Sequence, residues 1–260
     1  MSNPLFAALI LLFQLTPISC NSIPIKTKNE IILIHGAHFD GQSWKTVAKD
    51  LEKKGFQTLS PSLPGRTHSK NVDLDTLAKF VCAESKENSI LVGHSQGGAV
   101  INQMLGICPS KIKEIIYITA VVPFPKEKAF DYLEKRDEKW YFKAVEFKND
   151  LFTPKNQGAF FQAFAQDFSN SASNKRLLPP IYSEPAKIGE TALNFDKAHF
   201  EQIPKCYIHA TADQIVTLAS QRKYTQRTHF DKVLSITSGH LPMLSKPEET
   251  SLAIQKCLEM

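Results

Sequence analysis

Short aliphatic runs alternate with stretches of helical hydrophobic periodicity over most of the chain. Residues 31–35 form a short run that is aliphatic up to His35, which is typical of a strand buried on both faces of a sheet. Residues 44–54 place Trp44 and Val47 on one helical stripe, and Gly55 is a typical stop signal. The same reasoning predicts strands at residues 56–59, 89–93, 114–119, 205–211 and 232–237, and helices at residues 74–85, 96–105, 218–225 and 248–258. This order predicts an α/β protein with a mainly parallel, doubly wound sheet and helices on both faces.

The alternation stops between residues 123 and about 190, where no clear strand is predicted. Aromatic side chains are concentrated in this segment: Phe124, Phe130, Tyr132, Trp140, Tyr141, Phe142, Phe147, Phe152, Phe160, Phe161, Phe164 and Phe168. An aromatic-rich insertion in such a sheet is expected to cap a pocket. Most of the rings should form the cap's own core, and a minority, Phe124 among them, should face a ligand.

The length and charge of the chain exclude some classes of protein. With 260 residues, the part from residue 23 to 260 fits a single domain. The net charge of +5 is mild and the basic residues are scattered, so nucleic acid is not an expected partner.

The first 22 residues resemble a secretory signal. Residues 5–15 are apolar except for Gln14, and small residues follow near Cys20. The stretch is too short for a comfortable membrane span, and no other span is expected. We therefore expect export to the periplasm or the medium. Two alternatives stay open: a membrane anchor, through lipidated Cys20 or an uncleaved N-terminus, and a cytoplasmic protein.

Five cysteines are present, and none lie in a C-x-x-C motif. This spacing predicts neither a zinc site nor a redox motif, and no metal is expected. Buried free thiols are the favoured interpretation for Cys82, Cys108, Cys206 and Cys257, and the sequence does not determine a pairing.

The segment Gly93-His94-Ser95-Gln96-Gly97 carries the strongest chemical signal in the chain. A G-x-S-x-G motif that closes a strand and opens a helix holds its serine on a sharp turn above the sheet. Gly93 and Gly97 leave room for the close approach of strand and helix. The motif predicts that Ser95 is a nucleophile.

A serine nucleophile needs a base, and the base needs an orienting acid. Asp213 follows the predicted strand at residues 205–211, and His240 follows the one at residues 232–237. Both should therefore lie at the same edge of the sheet as Ser95. Asp196 and Asp231 are rival acids, but neither follows a strand end.

The developing negative charge of an acyl-transfer reaction needs two backbone N–H donors. Gln96, directly after the nucleophile, should supply one. Ala37 should supply the other, since Gly36 before it lets the backbone approach closely. His38 lies in the same loop and is expected at the pocket entrance.

These segments resemble the α/β-hydrolase branch that holds plant hydroxynitrile lyases, salicylate- and jasmonate-ester esterases, and bacterial esterase relatives. The matching stretches are residues 33–37 with Trp44, residues 93–98, residues 207–215 and residues 239–247. The resemblance implies an α/β-hydrolase fold with an inserted cap. It also implies Ser95, Asp213 and His240 as the triad and Ala37 and Gln96 as oxyanion donors.

Two positions distinguish the chemistries of that branch. Its lyases carry a Thr where this chain has Gly36, and a Lys where this chain has Leu241. The resemblance therefore implies an esterase, with Leu241 expected beside the pocket.

The expected function is hydrolysis of small to medium carboxylic esters through an acyl-enzyme, with no cofactor. The expected partner is a small-molecule ester, and the sequence leaves the oligomeric state open. Three alternatives remain: thioester hydrolysis, a lyase-like reaction, and a non-catalytic binder of small molecules on the same fold.

Overall fold

A six-stranded, wholly parallel sheet forms the centre of the molecule. The computed structural model describes residues 29–65, 71–168 and 178–260. In chain order the strands of this sheet are β1 (Glu30–Ile34), β2 (Gln57–Leu59), β3 (Ser89–His94), β4 (Ile112–Ile118), β8 (Lys205–Ala210) and β9 (Lys232–Ile236). Their order across the sheet is β2-β1-β3-β4-β8-β9. Because every pair is parallel, all six carboxyl ends lie at one edge, where α/β proteins place their ligands.

Helices cover both faces of the sheet, as the alternation predicted. The helices of this part are α1 (Lys45–Lys53), α2 (Leu74–Glu84), α3 (Gly97–Met104), α8 (Leu218–Arg227), α9 (Pro242–Ser245) and α10 (Pro247–Cys257). Helix α1 ends just before Gly55, whose φ of 83° suits glycine. Helix α2 begins after Asp73, whose side chain accepts a hydrogen bond from the Thr76 N–H at 2.9 Å.

The core has two layers, one on each face of the sheet. Alternate residues of β1 supply opposite layers: Ile32 and Ile34 pack with α2 and α3, whereas Ile31 and Leu33 pack with α1 and α10. All four side chains are fully buried. A strand buried on both faces has no polar side to present, which explains the unbroken aliphatic run.

The chain between β4 and β8 contains the segment predicted as a cap. It holds the helices α4 (Lys135–Ala144), α5 (Gln157–Phe164), α6 (Ala186–Glu190) and α7 (Lys197–Gln202), and the strands β5 (Val145–Lys148), β6 (Leu151–Pro154) and β7 (Glu184–Pro185). The prediction that this segment lacks strands was wrong, because β5, β6 and β7 form an antiparallel sheet. The overlooked signal is Asn149-Asp150, both at positive φ, which is the two-residue turn that favours a tight hairpin.

The predicted signal segment, residues 1–22, lies outside the described residues. Among the helices that the structure describes, none is long and apolar enough to cross a membrane.

The described residues contain two disulfides, one between two helical segments and one between the sheet and a helix. Cys82 of α2 is bonded to Cys108, just beyond α3, and Cys206 of β8 is bonded to Cys257 of α10. The expectation of free thiols was therefore wrong. The pairs are 26 and 51 residues apart along the chain, so no local spacing reveals them, and only the packing of the helices brings the sulfur atoms together.

Loss of the Cys206–Cys257 bond should destabilise the protein strongly. Closing a loop of 51 residues restricts the unfolded chain, and the chain-entropy relation gives about 4 kcal/mol. We expect the double variant Cys206→Ala/Cys257→Ala to unfold at a temperature lower by more than about 5 °C, measured by circular dichroism. In the matched variant Cys82→Ala/Cys108→Ala the loop is shorter, so its unfolding temperature should fall somewhat less. Equal unfolding temperatures for wild type and both variants would contradict this prediction.

Candidate active site

The turn between β3 and α3 holds Ser95 in a strained backbone conformation. Ser95 has a φ of 53°, which is uncommon for a residue with a side chain. A Cβ at Gly97 would lie 2.6 Å from the Ile34 carbonyl oxygen, and one at Gly93 would lie 2.9 Å from the Gly97 carbonyl carbon. Both positions therefore require glycine for close packing. The turn presents Ser95 at the carboxyl edge of the sheet.

Three side chains that are distant in sequence meet at this edge. His240 Nε2 lies 3.0 Å from Ser95 Oγ, and His240 Nδ1 lies 2.7 Å from Asp213 Oδ2. All three residues are buried. The structure thus brings the serine, imidazole and carboxylate selected from the sequence within hydrogen-bond distance of one another.

The Asp213 carboxylate is held by donors on both oxygens. Its Oδ1 accepts hydrogen bonds from the backbone N–H groups of Ile215 at 2.7 Å and Val216 at 3.1 Å. Its Oδ2 accepts from the Thr119 hydroxyl in addition to the His240 ring. These donors stabilise the ionised carboxylate in a buried position. Nothing in the sequence marks Thr119 as part of the site, because no motif identifies a threonine at the end of a strand.

His94 supports the backbone of His240 from below. Its Nε2 lies 2.7 Å from the His240 carbonyl oxygen, which can only accept, so the His94 ring donates. Burial, followed by the nearby His240, lowers the pKa of His94 well below its usual value, so that this ring is neutral. A neutral His94 avoids placing a second positive charge beside the His240 ring, whose centroid is 4.8 Å away.

The loop after β1 approaches Ser95 closely. A Cβ at Gly36 would lie 2.8 Å from Ser95 Cβ and 2.9 Å from His94 Nδ1, so only glycine fits there. Ala37 and Gln96 both line the same cavity as Ser95. Their backbone N–H groups have no acceptor among the described residues. Both groups are therefore available to a ligand atom near Ser95.

The cap binds this loop through His38. The His38 ring lies 2.8 Å from the Tyr182 carbonyl oxygen through Nδ1 and 2.7 Å from the Tyr141 hydroxyl through Nε2. The His38 backbone N–H donates to Glu184 Oε2 at 3.0 Å. His38 is buried among these groups and does not line the described cavity, which corrects its expected place at the entrance.

Two other predicted pocket residues also lie elsewhere. Phe124 packs against Phe200 and under the guanidinium group of Arg227, which is 4.2 Å from the ring centroid. Leu241 is fully buried in the core layer behind His240. Neither lines the described cavity, because the chain turns both side chains toward the body of the protein.

A cavity of about 210 Å³ opens above Ser95 between the sheet edge and the cap. Cap side chains and the loop after Asp213 supply most of its walls. Its lining residues are Ala37, Ser95, Gln96, Phe130, Leu133, Asp137, Glu138, Tyr141, Phe142, Phe152, Phe164, Glu184, Pro185, Gly189, Ile215 and Val216. Burial, with a contribution from Glu184, raises the pKa of Tyr141 well above its usual value, so its hydroxyl stays protonated.

A continuous series of aromatic rings runs from the triad to the surface. The Phe164 ring lies 5.5 Å from His240 and 6.1 Å from Tyr141, and the Tyr141 ring lies 5.9 Å from Phe152. Phe142, 44% exposed, lies 6.1 Å from Phe152. The cavity therefore has an apolar wall that reaches its mouth.

Among the described residues, no group of three or more His, Cys, Asp or Glu side chains is arranged to hold a metal ion. Two histidines outside the triad, His35 and His209, hold the fold together through hydrogen bonds. His35 accepts the Leu63 backbone N–H at 3.0 Å, and His209 is hydrogen-bonded to Gln221 at 3.2 Å.

Fold and site together define an α/β protein with a Ser-His-Asp arrangement at the carboxyl edge of its sheet. A family model described as the alpha/beta hydrolase family matches residues 31–252. The chain therefore belongs to the alpha/beta hydrolase family, and the predicted fold class is confirmed.

Several relatives are named as hydrolases or esterases, in agreement with the predicted branch of the family. A pyrethroid hydrolase from Sphingobium wenxiniae is 28% identical over 249 residues, covering 88% of this chain and 87% of that protein. Methylesterase 3 from Arabidopsis thaliana is 24% identical over 251 residues, covering 85% and 93%. A crystal structure of a pyrethroid hydrolase from Sphingobium faniae matches with a TM-score of 0.77 at 25% identity, covering 89% and 97%.

Proposed function

We propose that this protein is a serine carboxylesterase that hydrolyses neutral, largely apolar esters of small to medium size. One observation carries the proposal: Ser95 Oγ, the His240 ring and the Asp213 carboxylate form an unbroken hydrogen-bonded chain at the base of a cavity. The names of the relatives support ester hydrolysis.

In the proposed mechanism His240 Nε2 takes the Ser95 proton as Oγ attacks the ester carbonyl. Asp213 holds the Nδ1 proton and stabilises the imidazolium that forms. The backbone N–H groups of Ala37 and Gln96 bind the oxyanion of the tetrahedral intermediate. His240 then protonates the departing alcohol, which leaves an acyl group on Ser95. Water, activated by the same imidazole, releases the carboxylic acid.

The walls of the cavity favour a neutral substrate. Three carboxylate side chains, Asp137, Glu138 and Glu184, line it, and no Lys or Arg side chain does so among the described residues. These carboxylates would repel a substrate that carries its own negative charge. The aromatic wall supplies contact area for an apolar acyl or alcohol group.

Two residues support an esterase over a lyase: Gly36, the second residue after β1, and Leu241, directly after His240. Gly36 presents no hydroxyl to hold that of a cyanohydrin, and Leu241 is apolar and fully buried. An open oxyanion loop suits an ester carbonyl.

A covalent probe tests the proposal directly. We expect a fluorophosphonate to label the protein stoichiometrically and peptide mass spectrometry to place the label on Ser95. Hydrolysis of p-nitrophenyl butyrate should stop in proportion to labelling. Labelling elsewhere, or full activity after labelling of Ser95, would rule the proposal out.

Export is proposed for the same chain. Disulfides persist in oxidising compartments and are rare in the cytosol, so the two bonds at Cys82–Cys108 and Cys206–Cys257 support it. Fractionation of expressing cells, with mass spectrometry of the mature N-terminus, tests whether residues 1–22 are removed.

The aromatic wall leads to a prediction about substrate length. Truncation of Phe142 at the cavity mouth should raise KM for p-nitrophenyl octanoate about fivefold, because roughly 1 kcal/mol of apolar contact is lost. KM for p-nitrophenyl acetate should change less than about twofold, since a short acyl group does not reach the mouth. Leu252→Ala removes an exposed apolar side chain from α10 and serves as the control. Equal effects of Phe142→Ala on both esters would contradict the prediction.

A further inference from the structure

Thr119 has a backbone conformation that a threonine rarely adopts. It follows β4 directly, is fully buried and has a φ of 39°. A positive φ is a true outlier for a β-branched residue and carries an energetic cost that the surrounding structure must offset. Asn or Gly would adopt this conformation with less strain. Such an outlier indicates that the threonine side chain serves a purpose there.

The strained backbone aims the Thr119 hydroxyl at the triad. Its Oγ1 donates to Asp213 Oδ2, the oxygen that also accepts from His240 Nδ1. The Thr119 backbone N–H still donates to the Ile208 carbonyl at 2.9 Å, so the residue stays attached to the sheet. Two donors therefore share one carboxylate oxygen.

The neighbours of Thr119 hold the nucleophile. Ser95 N–H donates to the Ile118 carbonyl at 3.3 Å, and Val121 N–H donates to the Ser95 carbonyl at 3.1 Å. Residues 118–121 thus bind the turn at Ser95 through backbone hydrogen bonds, and they bind Asp213 through the Thr119 hydroxyl. The shape of this segment fixes the distance between the two ends of the triad.

We propose that Thr119 is a positioning residue for catalysis: its hydroxyl orients the Asp213 carboxylate and limits how strongly that carboxylate draws the His240 proton. The proposal rests on the proposed function, since it requires His240 to act as the base. Thr119 touches neither the substrate nor the reacting atoms and acts through Asp213.

The shared oxygen predicts the direction of a change with pH. By donating to Asp213 Oδ2, the Thr119 hydroxyl weakens the attraction between this oxygen and a positively charged His240 ring. Without it, His240 should hold its second proton to higher pH, where it cannot act as a base. The acid limb of the kcat/KM profile should therefore move to higher pH.

The other titratable groups near the triad are the same in wild type and in variants of Thr119. His94 lies beside the His240 ring, and burial raises the pKa of Tyr207 well above its usual value, with Asp213 among the smaller causes. An oxygen of Asp167 lies near Gly239, and Asp137 accepts from Thr217 N–H at 3.1 Å. None of them is altered by a change at residue 119, so a shift between variants reports on the hydroxyl.

The variants Thr119→Val and Thr119→Ser separate the effect of the hydroxyl from the effect of the side-chain shape. Valine keeps the volume and the β-branch but removes the donor, and serine keeps the donor. With p-nitrophenyl butyrate we expect Thr119→Val to lower kcat about 10- to 100-fold, with KM within about twofold, because a hydrogen bond to a charged group is lost. Its acid limb should move up by about half a pH unit. Thr119→Ser should keep kcat within about threefold and the wild-type profile.

Thr225→Val, on the outer part of α8, is the matched control and should leave activity unchanged. Unfolding temperatures of all variants show whether the fold is intact. A folded Thr119→Val protein with wild-type kcat and pH profile overturns the proposal, and so does Thr119→Ser that loses as much activity as Thr119→Val. If wild type itself is not labelled at Ser95 by a fluorophosphonate, the proposed function fails, and the inference about Thr119 fails with it.

Discussion

Replacement of Ser95 by alanine is expected to lower kcat for ester hydrolysis by about 10⁶-fold. The alanine removes the only atom of this site that forms the covalent bond in the proposed mechanism. His240 Nε2, now 3.0 Å from an empty position, has no hydroxyl to deprotonate. Binding of the ester should persist, because the oxyanion donors and the aromatic wall are unchanged. The measurement is kcat and KM with p-nitrophenyl butyrate, with the protein concentration fixed by absorbance.

Ser110→Ala is the matched control for this variant. Ser110 is exposed and precedes β4, at the amino edge of the sheet, opposite the carboxyl edge where Ser95 lies. It should keep wild-type kcat and should still be labelled by a fluorophosphonate. Residual activity of Ser95→Ala above about one per cent of wild type would show that another residue attacks the ester.

Asp213→Asn should lower kcat about 10⁴-fold while the protein stays folded. The backbone N–H groups of Ile215 and Val216 both donate to Oδ1, so the asparagine must place its oxygen there. Its NH₂ group then faces His240 Nδ1 and donates to it. That hydrogen bond puts the His240 proton on Nε2, where it blocks acceptance of the Ser95 proton. We expect the changed tautomer of His240, and not a changed shape of the site, to cause the loss of kcat.

Asp196→Asn is the matched control. Asp196 caps α7 by accepting the Ala198 N–H at 2.8 Å, and asparagine caps helices equally well. This variant should keep wild-type activity and stability. If Asp196→Asn is as inactive as Asp213→Asn, or if Asp213→Asn keeps more than about a tenth of wild-type kcat, Asp213 is not the orienting acid.

Features with a local cause could be predicted from the sequence. Residues 31–34 of β1 are all aliphatic because both faces of this strand are covered. The turn at Ser95 needs small neighbours because α3 packs closely against β3 at Gly93 and against the end of β1 at Gly97. The hairpin at Asn149-Asp150 had an equally local signal, which the dense aromatic pattern around it obscured.

Features that depend on distant contacts could not be predicted. Phe124 and Phe142 belong to the same aromatic-rich segment, yet one packs under Arg227 and the other lines the cavity. Nothing in the sequence distinguishes them, because the direction of each ring is set by the helix or turn that carries it. His38 was likewise expected in the pocket, but the cap residue Tyr182 that covers its ring lies 144 residues further along the chain.

The sequence by itself determined the parallel α/β architecture and the strained serine turn, since both follow from the sterics of neighbouring residues. Only the tertiary structure decided that the Ser95 hydroxyl and the His240 ring, 145 residues apart, lie within hydrogen-bond distance. It also decided that Thr119 donates to Asp213 across 94 residues, and which cysteines pair. Such contacts depend on the register of strands and the return paths of loops, which are properties of the packed chain as a whole.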